Sequence, residues 1–290
     1  MEEAKYPFGN GPLKLVSTDW LESNMDDVIK LDTQPNVHDY ITEHLVGAVY
    51  VQERFLRCSD GGMPARYAPM ESIQPVFRKA GLDPEVPVVV YTGKGPFREW
   101  GDGLEQTMMA YSLARFGHNK VYVLDGGIDK WKDEGKEITQ EFPEIEDSRF
   151  TLSNREGEYA ISMEDVKKAK EDDDVILLDA RPAKVYEGQG PWRKPGHIPG
   201  AVNLPWKSLM AEDNPKKLKP LEEVKEILLE HGVVENKRII CSCGTGREAT
   251  NEFVLLKFYL GYPNVKIYEG SFTEWTAYPD NPTVTGENPR

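Results

Sequence analysis

The stretch RIICSCGTGREATNEF, from Arg238 to Phe253, places two of the chain's three cysteines, Cys241 and Cys243, ahead of a glycine-rich turn. An apolar run, a small flexible loop and a helical pattern in that order make a generic anion cradle. Loop N–H groups converge, and the start of the helix adds partial positive charge. A cysteine at the mouth of the loop should have its thiolate stabilised and act as a nucleophile near neutral pH. Gly244 and Gly246 let the backbone turn with no side chain blocking approach. Thr245 lies between them, and Arg247 brings a full positive charge. Glu248 reads as a helix-start carboxylate rather than a catalytic acid. The loop residues from Gly244 to Glu248 are therefore the candidate substrate-binding set around the thiol.

The elements that must hold this loop recur along the chain. FGHNKVYVLDGGIDKW (Phe116 to Trp131) matches LGYPNVKIYEGSFTEW (Leu260 to Trp275) without a gap. EHLVGAVYV matches GHIPGAVNL, setting His44 on His197, and VIKLDT matches VILLDA, setting Asp32 on Asp179. Three blocks in the same order indicate a duplicated domain. In the second copy DVILLDA, GAVNLP, KRIICSC and NVKIYEG read as short buried strands. LEEVKEILLEHG reads as an amphipathic helix closed by Gly232, and EATNEFVLLKFYLGYP as an apolar helix ended by Gly261 and Pro263. Alternating strands and helices predict an α/β fold, with a mostly parallel sheet flanked by helices in each of two tandem domains, at 10–140 and 158–285. The acidic segment from Lys136 to Glu158 is the expected linker.

The repeat also separates the two thiols. Aligning VVVYTGKGPF with IICSCGTGRE sets Val90 on Cys241 and Thr92 on Cys243, with Gly93 on Gly244 and Gly95 on Gly246. Cys241 is thus a core strand position and Cys243 the entry to the loop. Here the chain resembles the tandem-domain rhodanese family, sulfurtransferases of the thiosulfate or 3-mercaptopyruvate type. The resemblance covers nearly the whole chain and rests on LLDARPAKVYEG, GHIPGAVNLPW, CGTGRE and YLGYPNVKIYEGSFTEW. It implies that Cys243 takes a sulfane sulfur as a persulfide and passes it to a thiophilic acceptor such as cyanide or a thiol, with no cofactor. It also implies that Arg181, in the DAR motif, faces the substrate anion; the alternative is an ion pair with Asp179 or Glu187. The first domain has Thr92 where the cysteine belongs and Gln34 where the arginine belongs. It should be catalytically silent, since a hydroxyl lacks the acidity and softness to hold sulfane sulfur. His44 and His197 recur in both copies, which argues for an architectural role.

Composition bounds the remaining possibilities. The 290-residue chain has 39% hydrophobic residues, enough for real cores, and a formal charge of -14, which disfavours nucleic acid and anionic membranes as partners. The expected partners are a small-molecule sulfur donor, a thiophilic acceptor and a thioredoxin-like reductant. No apolar run has the length of a membrane span. The expected compartment is cytoplasmic, or periplasmic if a signal peptide has been removed. No histidine pair has metal-ligand spacing, and the cysteines, at 58, 241 and 243, make neither a disulfide framework nor a zinc site. A phosphatase of the same fold needs C-x5-R. Counted from Cys243, which heads the loop, that position is Ala249; counted from Cys241 it is Arg247, so the spacing is met only from the cysteine read as a core strand position. The other competing function is a non-catalytic persulfide carrier or scaffold serving a partner protein. The loop CGTGRE matches neither the donor pattern of mercaptopyruvate enzymes nor that of thiosulfate enzymes.

Overall fold

The computed structural model describes residues 5–289. The chain divides into two compact units, one running to Arg155 and one from Glu156 onward, except that Asp213–Lys217 belongs with the first.

The first unit is built on five short strands: β1 (Leu13–Val16), β2 (Ile29–Asp32), β3 (Ala48–Tyr50), β4 (Val88–Tyr91) and β5 (Val121–Leu124). They lie in the order β1-β5-β4-β2-β3, every pairing parallel. The central strand β4, VVVY, is buried at all four positions, as a parallel sheet covered on both faces requires. The covering helices include α1 (Leu104–Arg115), buried along its whole length, and α2 (Gly127–Asp133).

The second unit has β6 (Val175–Asp179), β7 (Ala201–Asn203), β8 (Arg238–Ser242) and β9 (Val265–Ile267) in the order β7-β6-β8-β9, again all parallel. This is the first unit's order β3-β2-β4-β5 over again. The fifth position is kept only as a single bridge between Ala160 and Ile267. Helix α3 (Leu221–Glu230) is followed by Gly232 at φ +71, the left-handed turn expected past its end. Helix α4 (Ala249–Val254) does not run on as a regular α-helix. Leu255–Tyr259 forms a π turn, closed by Leu260 N–H bonding Leu255 C=O at 2.8 Å. Helix α5 (Ser271–Ala277) completes the unit.

The matching tryptophans occupy matching places. Trp131 and Trp275 are both buried, and each indole N–H donates to a backbone carbonyl at 2.7 Å, of Glu137 and Pro282 respectively. Losing either ring should cost about 3–5 kcal/mol by the usual large-to-small rule. The recurring histidines do equivalent work. His197 stacks on Tyr186 at 3.6 Å and His44 on Tyr40 at 4.1 Å, both fully buried, with their ring nitrogens against backbone carbonyls. The expected linker is not a free strand of chain. Ile138–Thr139 pairs with His44–Leu45, and Phe150 is buried against Phe77.

Candidate active site

Strand β8 delivers the thiols. Cys241 sits in register between Leu178 and Ile267, in the centre of the sheet, and has no exposure. Cys243 follows just past the carboxyl end of β8, where ligands of parallel sheets collect. The loop Gly244 to Glu248 then leads into α4.

The loop closes around the Cys243 sulfur. Gly246 N–H donates to Sγ at 3.1 Å, and the N–H dipoles of Thr245 and Ala249 act to lower the thiol's pKa. Gly246 adopts φ +82, and a Cβ there would meet the Glu269 carbonyl at 2.6 Å. Gly244 lies against Trp192, so a Cβ would fall 2.8 and 2.9 Å from its indole carbons. Helix α5 fastens the loop from the other side. Cys243 N–H donates to Ser271 Oγ at 3.0 Å, and Phe272 N–H donates to Cys243 C=O at 3.0 Å. Gly244 C=O accepts both the N–H (3.0 Å) and the hydroxyl (2.8 Å) of Thr273, whose oxygen in turn accepts the Trp192 indole N–H at 2.9 Å.

Burial works against the stabilised thiolate expected at this position. Cys243 has no exposed surface. Burial pushes its pKa well above the ordinary thiol value. The charge of the Glu248 carboxylate raises it further. The loop N–H groups pull the other way and are outweighed, because desolvating a sulfur anion completely costs more than these dipoles return. The net shift at Cys243 is therefore upward. The Cys241 thiol is pushed up as well, by burial first and then by Glu252 and Cys243.

Arg181 stands at the end of β6 with its side chain buried. Its Nε donates to Asp179 Oδ1 at 2.8 Å and Oδ2 at 3.1 Å, and its Nη2 to Asp179 Oδ2 at 2.5 Å and to Gly196 C=O at 3.0 Å. The guanidinium also packs on the rings of Phe272 (4.2 Å) and Trp192 (5.0 Å). The ion pair with Asp179 thus exists, yet it uses only part of the guanidinium. Nη1 is buried without a hydrogen-bond partner. Arg247, Thr245 and Glu248 are partly exposed on the loop.

Sequence reasoning missed Ser271. It is buried, and its hydroxyl accepts from Cys243 N–H, donates to Tyr268 C=O at 2.8 Å and lies 3.8 Å from Sγ. A signal was present, because Ser271 replaces Gly127 of the first copy at a left-handed turn, with φ +51 against +62. A serine kept at a position that favours glycine points to a use for its hydroxyl. Glu252 was missed too. It is fully buried one helical turn beyond Glu248, and neither carboxyl oxygen has a partner.

The first unit's loop is arranged differently. Its N–H groups are taken by the unit's own side chains. Thr92 N–H goes to Gln106 Oε1 (3.2 Å), Lys94 N–H to the Asp129 carboxylate (3.0 and 3.2 Å) and Phe97 N–H to Asp39 Oδ1 (2.7 Å). Lys216 is buried against the same loop, paired with Asp129 at 2.9 Å and bonded to Gly101 C=O at 3.2 Å. Among the described residues no cluster of His, Cys, Asp and Glu could hold a metal ion, and no helix is long and apolar enough to cross a membrane.

Comparison with known proteins places these features. The family model for the rhodanese-like domain matches residues 17–134 and again 162–278. A putative thiosulfate sulfurtransferase of Synechococcus elongatus is 36% identical over 255 residues, covering 85% of this chain and 77% of its own. The sulfur carrier protein TtuD of Thermus thermophilus is 29% identical over 292 residues, with 95% and 98% covered. Among solved structures, SseA of Escherichia coli, described as a 3-mercaptopyruvate sulfotransferase, superposes with a TM-score of 0.77 at 28% identity, covering 89% of this chain and 98% of that one.

Proposed function

Since this chain belongs to the rhodanese-like domain family through both of its halves, we propose that it is a sulfurtransferase. It moves a sulfane sulfur from thiosulfate or 3-mercaptopyruvate, through a Cys243 persulfide, to a thiophilic acceptor such as cyanide or a thiol. The observation that carries this reading is the convergence of loop N–H groups on Cys243 Sγ, with Gly246 at 3.1 Å. Fixed dipoles of this kind stabilise the charge that appears on sulfur during transfer. They cost no reorganisation at the moment of reaction, because α5 already holds the loop in place.

Each neighbouring residue has a part. Arg181, with Nη1 unpartnered, supplies a buried donor for the anionic donor molecule, while Asp179 fixes the guanidinium plane. Arg247 adds charge at the loop surface. Gly244 and Gly246 keep the approach to sulfur clear. The first unit does no chemistry: Thr92 has no thiol, and its loop donors are already satisfied. The test is sulfur transfer to cyanide with thiosulfate and mercaptopyruvate measured side by side, for the native chain and for Cys243→Ser. Turnover that vanishes in the variant supports the reading.

A second reading is favoured by one relative. TtuD is named a sulfur carrier protein and aligns along almost the entire chain. A carrier would load one sulfur per Cys243 and release it only to a partner protein. Multiple turnovers with a small acceptor would exclude that; a single stoichiometric loading would support it.

A further inference from the structure

The two sheets differ at one edge. In the first unit β1 pairs with β5 along its whole length, from Leu13 opposite Val121 to Val16 opposite Leu124. Among the described residues, the matching edge of β9 is met by the bridge between Ala160 and Ile267 and by Ile161 N–H, which donates to Ile267 C=O at 3.0 Å. The chain just before, Glu156–Tyr159, coils into a short helix instead of continuing along the edge. No strand therefore pairs with β9 at Val265, and a cavity of about 430 Å³ lies there. Its walls are aliphatic and include Ile161, Val175, Ile239 and Val265. Val175, Ile239 and Val265 stand at the starts of β6, β8 and β9, so the cavity lies at the amino ends of the strands, whereas Cys243 follows a carboxyl end.

Two lysines line this cavity. Lys266 takes the place of Tyr122, which in the first unit packs edge-on against Trp20 at 5.1 Å. Lys257 lies in the π turn Leu255–Tyr259. That turn is wider than its counterpart: Leu260 N–H reaches back to Leu255 C=O (260−255 = 5), where the matching Phe116 N–H reaches back to Ser112 C=O (116−112 = 4). Widened turns of this kind are frequent at functional sites. Both ammonium groups bond to main-chain carbonyls and to no carboxylate. Lys266 Nζ donates to Gly157 C=O at 3.0 Å and Glu158 C=O at 2.7 Å, and Lys257 Nζ donates to Pro263 C=O at 2.9 Å. An ammonium carries three N–H donors, so each lysine keeps at least one without a protein partner. Arg238, also at the rim, is already paired with Asp172 at 2.5 Å. The rim has one carboxylate, Glu158, and its charge acts on Lys266 less than burial and Lys257 do, so the Lys266 pKa lies below the ordinary lysine value. Like charges held together at a partly buried site are relieved by an anion.

We propose that this cavity is a binding site for a small aliphatic carboxylate, whose charged end is held by Lys257 and Lys266 and whose chain lies on Ile161, Val175, Ile239 and Val265. The cavity is within the roughly 300–1,000 Å³ range of ligand pockets, and apolar walls with a few convergent polar groups are their usual composition. An extended peptide added to the sheet edge fits less well, because Lys266 already fastens Gly157 and Glu158 across it. A planar aromatic ligand also fits less well, since no aromatic ring is among the described lining residues to stack on it. The inference goes beyond the sulfurtransferase reading and does not rest on it.

Isothermal titration with octanoate is the test. The native chain should bind one octanoate. Acetate, which lacks the chain, and octylamine, which carries the opposite charge, should each bind at least about tenfold more weakly. Lys257→Met and Lys266→Met should each weaken octanoate by about tenfold or more, as expected for a lost hydrogen bond to a charged group. Lys266→Tyr puts the first copy's residue in place, fills the cavity and should abolish binding, with native circular dichroism showing that the fold is kept. Cys243→Ser should bind octanoate as the native chain does, and saturating thiosulfate should not displace it. Octanoate held no better than acetate, lysine variants that bind like the native chain, or displacement by thiosulfate would overturn the proposal. The readout is binding and not turnover, so failure of the sulfurtransferase reading would leave these outcomes unchanged.

Discussion

Replacing Gly244 with alanine should damage the site through a collision that can be sized. The added Cβ would lie 2.8 Å from one carbon of Trp192 and 2.9 Å from another, with Arg181 Cδ at 3.8 Å behind. Ordinary contact begins near 3.4 Å, so the ring or the loop must yield by 0.6 Å (3.4−2.8). Trp192 is not free to swing away, because its indole N–H is held by Thr273, which also holds Gly244 C=O. The displacement therefore passes into the loop carrying the Gly246 N–H or into the Arg181 guanidinium stacked on the same ring. Overpacking of this kind costs roughly 1–3 kcal/mol of stability. Misplacement of reacting groups by ~1 Å costs ~10² in rate, so the shift here should lower kcat/KM by about tenfold. Steady-state transfer to cyanide and thermal unfolding give the two numbers. Adding Trp192→Leu to Gly244→Ala should recover part of both, since it removes the atoms struck. A Gly244→Ala enzyme with native rate and native Trp192 fluorescence would refute the argument that the ring seals the loop.

Other outcomes follow from the same geometry. Arg181→Ala and Arg247→Ala should raise KM for an anionic donor more than they alter folding, and unchanged kinetics in either would remove that arginine from the site. Thr92→Cys in a Cys243→Ser background should gain no cyanide-labile persulfide, because Asp129, Asp39 and Gln106 already occupy the loop donors and Pro96 offers none; stoichiometric persulfide there would show a competent cradle. Asp32 is fully buried, and burial lifts its pKa from 3.8 to about 7. The folded chain therefore binds a proton that the unfolded chain has lost between those values. Stability should fall as pH rises through roughly 4 to 7, and Asp32→Asn should flatten that limb in denaturant titrations.

Much of this was legible in the sequence because it depends on short-range pattern. The strands were bounded apolar runs, and the repeat itself showed that Cys243, and not Cys241, stands at the mouth of the loop. What pattern could not supply came from packing between distant segments. Whether N–H dipoles win over burial at Cys243 depends on how completely the loop closes, and α5 and Trp192 decide that. Asp129 and Asp39 fill the first unit's loop from segments far away in sequence, so the silence proposed for that unit has a second cause besides Thr92. Lys216 reaches that loop from a stretch assigned by sequence to the second domain. The π turn after Val254 left no mark in an evenly apolar helix.

The central claim is that Cys243 carries the sulfur. Incubation with thiosulfate, removal of the donor and intact-protein mass spectrometry with peptide mapping test it directly. The account predicts one added sulfur on the peptide containing Cys243, discharged by cyanide as thiocyanate, absent in Cys243→Ser and present in Cys241→Ser. Sulfur found on Cys241 or Cys58, or loading that survives Cys243→Ser, would contradict it.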